Sequence, residues 1–99
     1  MGDLNSQGGE RVVGEIAAAG GQAVFQHADV TSEGDIKALV DRAVQDYGRL
    51  DVVFNNAGLI GAMGPIETIN AEDWDKTIAV LLRAVFFGIK YAVEPMRKT

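Results

Sequence analysis

Two aspartates and one run of small polar residues follow the three apolar segments that favour β-strands. Asp3 comes after the first segment, of which only the tip is present, and Asp29 follows the second. Residues 55–58, with the sequence Asn-Asn-Ala-Gly, follow the third. Ligands bind at the carboxyl ends of strands in open parallel sheets, where an acid at the first position accepts hydrogen bonds from ribose hydroxyls and repels a 2′-phosphate. These positions are therefore the candidate ligand-binding residues.

Asp3 and Asp29 each have a purely structural explanation as well. Asp3 suits the N-terminus of a following helix, and Asp29 suits the turn before the next one. His27 is better explained as a hydrogen-bonded residue at a strand end than as a catalytic base, because no nucleophile is placed beside it. Residues 55–58 are more specific, since small residues after paired amides let another group approach the backbone closely.

Helix-like and strand-like segments alternate along the chain. The second helix is the clearest, because its apolar residues recur at helical spacing from Ile36 to Tyr47. Alternation of this kind predicts an α/β fold with a parallel sheet and right-handed crossovers. Helices are predicted at residues 5–19, at 32–47 after a cap at Thr31 or Ser32, and from 71 toward Pro95 or beyond; strands at 22–26 and 50–54; and a long loop at 55–69.

Composition sets the class of protein and excludes several kinds of site. The 99 residues carry a net charge of −5, which disfavours nucleic acid and anionic membrane as partners. The chain has no cysteine and one histidine, so no metal site is expected. The N-terminus has no signal-peptide pattern, and the longest apolar run, residues 78–89, is too short to span a bilayer. These features predict a soluble cytoplasmic protein with one domain at most.

The last predicted helix carries more apolar surface than one packing face needs. Lys76, Arg83, Lys90 and Arg97 recur every seven residues and predict a solvated basic stripe. Almost every other face of the helix is apolar, so a second covering surface is required once one face packs on the sheet. That surface belongs either to this molecule or to a partner.

Four segments of the chain stand in a familiar order and spacing: Ala-Asp-Val-Thr at 28–31, Tyr-Gly-Arg-Leu-Asp-Val-Val at 47–53, Asn-Asn-Ala-Gly at 55–58 and Glu-Asp-Trp-Asp at 72–75. Together they resemble the middle of a short-chain dehydrogenase/reductase of the classical type. The resemblance covers essentially all of residues 2–99. It implies one partial NAD(P)-binding Rossmann domain over residues 1–99, a doubly wound parallel sheet in three αβα layers with about three strands and three helices.

The resemblance also implies roles for the residues at the strand ends. Asp3 would bind the adenosine ribose and favour NAD over NADP, while Asn55 would brace the central sheet. The last helix would belong to the helix pair through which these enzymes form dimers and tetramers. Six residues are implied to bind the coenzyme: Asp3, Asp29, Val30, Asn56, Ala57 and Gly58. Of these, Asp29 and Val30 would contact the adenine ring. The last three, Asn56, Ala57 and Gly58, would line the cofactor's path.

Several features of the family are absent from residues 1–99. The glycine-rich turn that seats the pyrophosphate is expected before Met1, and the catalytic Ser and Tyr-x-x-x-Lys pair after Thr99. Neither Tyr47 nor Tyr91 has a lysine four residues later, so both are predicted to be helix-end aromatics packed on the core. Leu81 stands where the family usually has an Asn that is thought to hold a water in the proton relay. No catalytic residue is therefore expected within the chain.

Two functional hypotheses follow from the sequence. In the first, the chain is part of an NAD(P)-dependent oxidoreductase that transfers hydride between nicotinamide and an alcohol or carbonyl substrate, and the chain alone is inactive. In the second, it is a non-catalytic interaction module that docks through its last helix onto full-length subunits. A weaker third hypothesis is a nucleotide-binding fragment. In the Rossmann strand order, the predicted strands at 22–26 and 50–54 are not neighbours, and of the two strands between them residues 1–99 contain only one tip. Both strands then expose unpaired edges, so we expect the isolated chain to be marginally stable or aggregation-prone.

Overall fold

Side chains cap the three main helical segments at the residues that the sequence predicts. The Asn5, Ser32 and Asn70 side chains each accept a hydrogen bond from a backbone N–H three residues later, at 2.9, 3.2 and 2.8 Å. Such caps satisfy backbone donors that have no partner inside the helix. The second helix ends at Gly48, whose φ of 77° is the left-handed conformation that glycine adopts without strain. The three helix starts are thus confirmed.

The computed structural model describes residues 1–99 and has the element order expected of an α/β chain. Two short strands come with three helical segments, and the last of these segments contains a π-turn. The elements are β1 (Gly2–Asp3), α1 (Ser6–Ala18), β2 (Gln26–His27), α2 (Glu33–Tyr47), a 3₁₀ turn (Ile66–Thr68), α3 (Ala71–Ile78), the π-turn (Ala79–Arg83) and α4 (Ala84–Arg97). We refer to α3, the π-turn and α4 together as the last helix.

The strands β1 and β2 form a parallel pair between two helical layers. Their register pairs Gly2 with Gln26. On one side, the Phe25 ring lies so close to Gly9 of α1 that a Cβ there would overlap it. On the other side, Gly2 lies against Leu39 of α2. Because successive strand residues point to opposite faces, this arrangement gives the predicted αβα layering.

Strand content is lower than predicted. The strand predicted at residues 22–26 is paired only at Gln26–His27, and residues 50–54 form no ladder at all. A strand needs a neighbour for its backbone donors and acceptors. β1 offers β2 only two residues to pair with, and no strand lies beside residues 50–54. Val52 and Phe54 consequently remain 77 % and 83 % exposed.

The core consists of two small apolar clusters between α2 and the last helix. The first contains Ile36, Ala84 and Phe87, and the second contains Val40, Leu50 and Ala92. Tyr91 packs against both, as predicted for a core-packed aromatic. The same prediction is wrong for Tyr47, which is 46 % exposed because it lies at the rim of a groove beside Met1 and Val24 that no other element covers.

None of the helices combines the length and the apolar character that crossing a membrane requires.

Candidate functional site

The carboxyl ends of β1 and β2 bring Asp3 and Asp29 to one edge of the sheet. The Ala28 N–H donates to the Asp3 carbonyl oxygen at 3.1 Å, which extends the strand pairing by one bond. The Asp3 side chain is exposed, and its Oδ1 accepts a hydrogen bond from the Asn5 N–H at 2.9 Å. The structure therefore places Asp3 both at a strand end and at the start of α1, so its structural role leaves it at the carboxyl-end edge of the sheet.

Asp29 organises the turn between β2 and α2. Its Oδ1 accepts hydrogen bonds from the Thr31 N–H at 2.9 Å and from the Thr31 hydroxyl at 2.7 Å. Its own N–H donates to Asp35 Oδ2 at 2.9 Å. The hydrogen bonds from Thr31 lower the pKa of the Asp29 carboxyl, and His27 adds to the effect. The turn-forming explanation of Asp29 is therefore correct, and the turn fixes the direction of the residues beside it.

Residues of the last helix hold this turn from the other side. Arg83 Nη2 donates to the Thr31 carbonyl oxygen at 3.0 Å, while Lys90 Nζ and the Tyr91 hydroxyl both donate to Glu33 Oε1, at 2.6 and 2.7 Å. The hydrogen bonds from Lys90 and Tyr91 lower the pKa of Glu33. The bond to Glu33 in turn raises the pKa of Lys90 and that of Tyr91.

The basic stripe is exposed as predicted, at Lys76, Arg83, Lys90 and Arg97. In addition, Arg83 and Lys90 bind residues more than 50 positions away in the chain, which the prediction did not include. The Arg83 guanidinium also lies 5.1 Å from the centre of the Phe87 ring. Sequence periodicity places residues on a helix face but carries no information on which distant element lies opposite that face.

The loop after residue 54 runs antiparallel along the last helix. Asn55 meets Gly88, where a Cβ would overlap the amide oxygen of the side chain. Further along, Gly58 faces the Leu81 side chain. The loop then reaches Thr77, whose Oγ1 accepts a hydrogen bond from the Ala62 N–H at 2.8 Å. Asn55, which was expected to brace the sheet, thus contacts the last helix, and Thr77 is a loop contact that the sequence alone did not reveal.

The space around Gly58 would admit a side chain. A Cβ at Gly58 would lie 3.7 Å from Leu81 Cδ2 and 3.9 Å from the Asn56 carbonyl oxygen, which are ordinary contact distances. Its φ is not positive, unlike those of Gly61 and Gly64 in the same loop. Neither internal packing nor backbone conformation requires glycine at 58. A glycine in such a place suits the close approach of a group from outside the chain.

The candidate residues form two separate groups. Asp3, Asp29 and Val30 lie at the ends of β1 and β2, and Val30 packs on the cluster that contains Phe87. Asn56, Ala57 and Gly58 are exposed in the loop that begins against Gly88, the next residue of α4. Groups of three or more His, Asp or Glu side chains arranged to hold a metal do not occur.

Comparison with known proteins gives matches over the entire chain. The family described as short chain dehydrogenase matches residues 1–99. A cyclopentanol dehydrogenase from a Comamonas species is 38 % identical over 98 residues, which are 99 % of this chain and 39 % of that protein. The chain thus spans about two-fifths of the length of the curated relatives it matches.

Solved structures match the fold equally well. A 3-ketoacyl-ACP reductase from Sinorhizobium meliloti superposes with a TM-score of 0.94 and 36 % identity, over 98 % of this chain and 38 % of that one. An NAD⁺-bound xylitol dehydrogenase gives a TM-score of 0.90 at 29 % identity, over 98 % and 37 %. A metagenomic short-chain oxidoreductase in complex with NADP gives 0.88 at 32 % identity, over 96 % and 43 %. Similar chains therefore occur with either coenzyme bound.

Proposed function

Because residues 1–99 belong to the short-chain dehydrogenase/reductase family, we propose that they form part of the coenzyme-binding half of an NAD(P)-dependent oxidoreductase acting on an alcohol or carbonyl substrate. They would constitute a single partial Rossmann domain. When bound, the coenzyme supplies the nicotinamide that exchanges hydride with the substrate. The observation that carries the proposal is the exposed Asn-Asn-Ala-Gly loop held along the last helix, with a glycine that the chain itself does not require.

Each candidate residue has a distinct role in this proposal. Asp3 accepts hydrogen bonds from the adenosine ribose, and its charge favours NAD over NADP. Asp29 and Val30 border the adenine ring, because they follow β2 at the same edge of the sheet. The open backbone of the loop at Asn56, Ala57 and Gly58 lines the path of the coenzyme between adenosine and nicotinamide.

The chain alone is proposed to be inactive. Residues 1–99 contain neither a Tyr-x-x-x-Lys sequence nor a glycine-rich turn before a helix. The first would supply the general acid/base, and the second would seat the pyrophosphate on a helix N-terminus. We expect purified 1–99 to oxidise no secondary alcohol with NAD and to show no increase in melting temperature with millimolar NAD.

A graft tests the proposal directly. In this graft, residues 1–99 replace the matching 98 residues of the Comamonas cyclopentanol dehydrogenase. We expect NAD-dependent oxidation of cyclopentanol by the graft, because the host supplies the glycine-rich turn and the Tyr-x-x-x-Lys segment. The rate stays below that of the host enzyme, because Leu81 remains in place of the family's Asn. A folded graft without NAD-dependent activity would contradict the proposal.

Gly58→Ala in the graft tests the coenzyme path itself. The space around Gly58 admits a methyl group, so the free energy of unfolding stays within about 0.5 kcal/mol of the parent graft. The KM for NAD rises about tenfold or more, because the methyl group occupies the path of the coenzyme. Gly14→Ala is the matched control: nothing lies within 4 Å of a Cβ there, and the KM for NAD stays unchanged. An unchanged KM in the Gly58 variant would remove this residue from the site.

The partner, assembly and location of the parent protein are proposed on the same basis. Its substrate is a small-molecule alcohol or carbonyl compound, it works in the cytoplasm, and it forms a homo-oligomer through residues 71–98. Support for the oligomer comes from the last helix, where Leu82, Phe86 and Ile89 are 64 %, 57 % and 56 % exposed. Apolar side chains in one patch of this kind mark an interaction surface.

The same exposed residues favour a second candidate function. As a non-catalytic module, the chain would dock through the last helix onto full-length subunits and alter their assembly. Tagged 1–99 co-expressed with a full-length relative then co-purifies with it, whereas 1–99 carrying Phe86→Glu does not. Failure of the unmodified chain to co-purify would contradict this alternative.

A further inference from the structure

We propose that Thr77 is a positioning residue that holds the 58–62 part of the loop in the coenzyme path, an inference that rests on the proposed function. The Thr77 hydroxyl both accepts and donates a hydrogen bond. Oγ1 accepts from the Ala62 N–H at 2.8 Å and donates to the Asp73 carbonyl oxygen at 2.8 Å. A hydroxyl is the side-chain group that both donates one hydrogen bond and accepts others.

The backbone of the loop is shaped to reach this hydroxyl. Gly61 precedes the bonded amide and has a φ of 82°, the left-handed conformation that favours glycine. A Cβ at Gly61 would lie 2.8 Å from Thr77 Cγ2, so a side chain there would push the loop off the helix. The positive φ and the close approach both serve the bond between Ala62 and Thr77.

Thr77 lies one helical turn before Leu81, the residue that faces Gly58. Positions four apart lie on the same face of a helix, so both contacts fall on one stripe. This stripe supports the loop beneath the glycine that the proposed function places against the coenzyme. Most of the other loop residues from 55 to 69 are exposed, and the 3₁₀ turn at Ile66–Thr68 is closed by bonds within its own segment. The bond to Thr77 therefore fixes the loop where the coenzyme passes.

Thr77→Val and Thr77→Ser separate the hydrogen bond from packing. Valine keeps the shape of the side chain but removes the hydroxyl, whereas serine keeps the hydroxyl. Thr68→Val is the matched control in the same loop, since the Thr68 hydroxyl bonds only to the nearby Pro65 carbonyl oxygen at 2.7 Å. Amide hydrogen exchange at Ala62, the KM for NAD and kcat are all measured in the graft.

We expect Thr77→Val to accelerate exchange at Ala62 about five- to tenfold, as loss of one hydrogen bond predicts. The KM for NAD rises by a similar factor, while kcat at saturating NAD and the KM for cyclopentanol change little. Thr77→Ser and Thr68→Val behave like the unmodified graft in all of these measurements. Rescue by serine distinguishes the hydroxyl from the packing of the methyl group.

Unchanged exchange at Ala62 in Thr77→Val would overturn the inference, and so would faster exchange with an unchanged KM for NAD. Equal defects in the serine and valine variants would also overturn it, because they would assign the effect to packing. An unmodified graft that makes no use of NAD would overturn the proposed function and this inference together. Normal use of NAD with an unaffected Thr77→Val variant would overturn the inference alone.

Discussion

The carboxylate of Asp3 stands exposed at the end of β1, where the proposed function places the adenosine ribose. Asp3→Asn in the graft removes the charge that repels a 2′-phosphate while keeping a hydrogen-bonding side chain. We expect the ratio of kcat/KM with NAD to kcat/KM with NADP to fall about tenfold or more. Steady-state kinetics with both coenzymes measure the ratio. Asp41→Asn, which removes an equal charge at an exposed position of α2, is the control and leaves this ratio unchanged.

Glu33 makes the connection between α2 and α4 depend on pH. Its pKa in the folded chain lies below the ordinary value of 4.5 because Lys90 and Tyr91 donate to it. Its contribution to stability is therefore present above pH 4.5 and is lost as the pH falls through the lowered folded pKa. Tyr91 has a pKa raised above 10.0, so its contribution is present below pH 10.0 and is lost as the pH rises through the raised value.

Glu33→Gln in the graft tests this connection. The variant melts at a slightly lower temperature than the parent graft near neutral pH, and the difference shrinks as the pH falls below 4.5. The effect is small because the ion pair is exposed to solvent. Thermal melts across the acid range measure it, with Glu10→Gln on exposed α1 as the control. A difference that persists unchanged at low pH would contradict the assignment to the Glu33 carboxylate.

At the scale of elements, the loop packs closely on α4 because Gly88 has no side chain. Gly88→Ala places a Cβ into the Asn55 amide, and we expect the graft to lose about 1–3 kcal/mol of unfolding free energy. Gly14→Ala in α1 meets no atom within 4 Å and gains about 0.5–1 kcal/mol from helix propensity. Urea denaturation measures both changes. A neutral Gly88 variant would show that the loop moves away from α4 at little cost.

The exposed face of the last helix leads to a second prediction at the scale of elements. Leu82, Phe86, Ile89 and Val93 follow helical spacing and are between 38 % and 64 % exposed. Phe86→Glu places a charge in the middle of this face, so we expect the dissociation constant of the oligomeric graft to rise at least tenfold. Light scattering during size-exclusion chromatography measures the assembly. Ile66→Glu, at an exposed apolar residue of the 3₁₀ turn, is the control and leaves the oligomer intact.

The helices were predictable from the sequence because their signals are local. Caps at Asn5, Ser32 and Asn70 act within three residues, and apolar spacing marks the buried face of each helix. Strands depend on neighbours that are distant in sequence, so residues 50–54 had a strand-like composition but form no ladder. The contacts of Thr77 and Arg83 were missed for the same reason, since each reaches a segment that no local pattern identifies.

At the scale of the whole molecule, the chain has the layers of a Rossmann fold but little interior. Nine of 99 residues are buried, and none of them is polar or charged. The radius of gyration of 15.7 Å exceeds the value of about 13 Å that a compact chain of this length has. Resemblance predicted the layers correctly, because the four motifs mark the order of the elements. Val52 and Phe54, which are 77 % and 83 % exposed, lie on a surface that further strands would cover.

This shape determines how the isolated chain should unfold. Cooperative unfolding requires a core that links the elements, and here two clusters of three buried residues each lie between α2 and the last helix. We expect purified 1–99 to lose helical circular dichroism gradually on heating, without a sharp transition, and to aggregate as its concentration rises. The graft, in which host strands cover residues 50–54, melts cooperatively under the same conditions. A sharp, concentration-independent melt of monomeric 1–99 would show instead that the α2 and α4 contacts suffice for an independent fold.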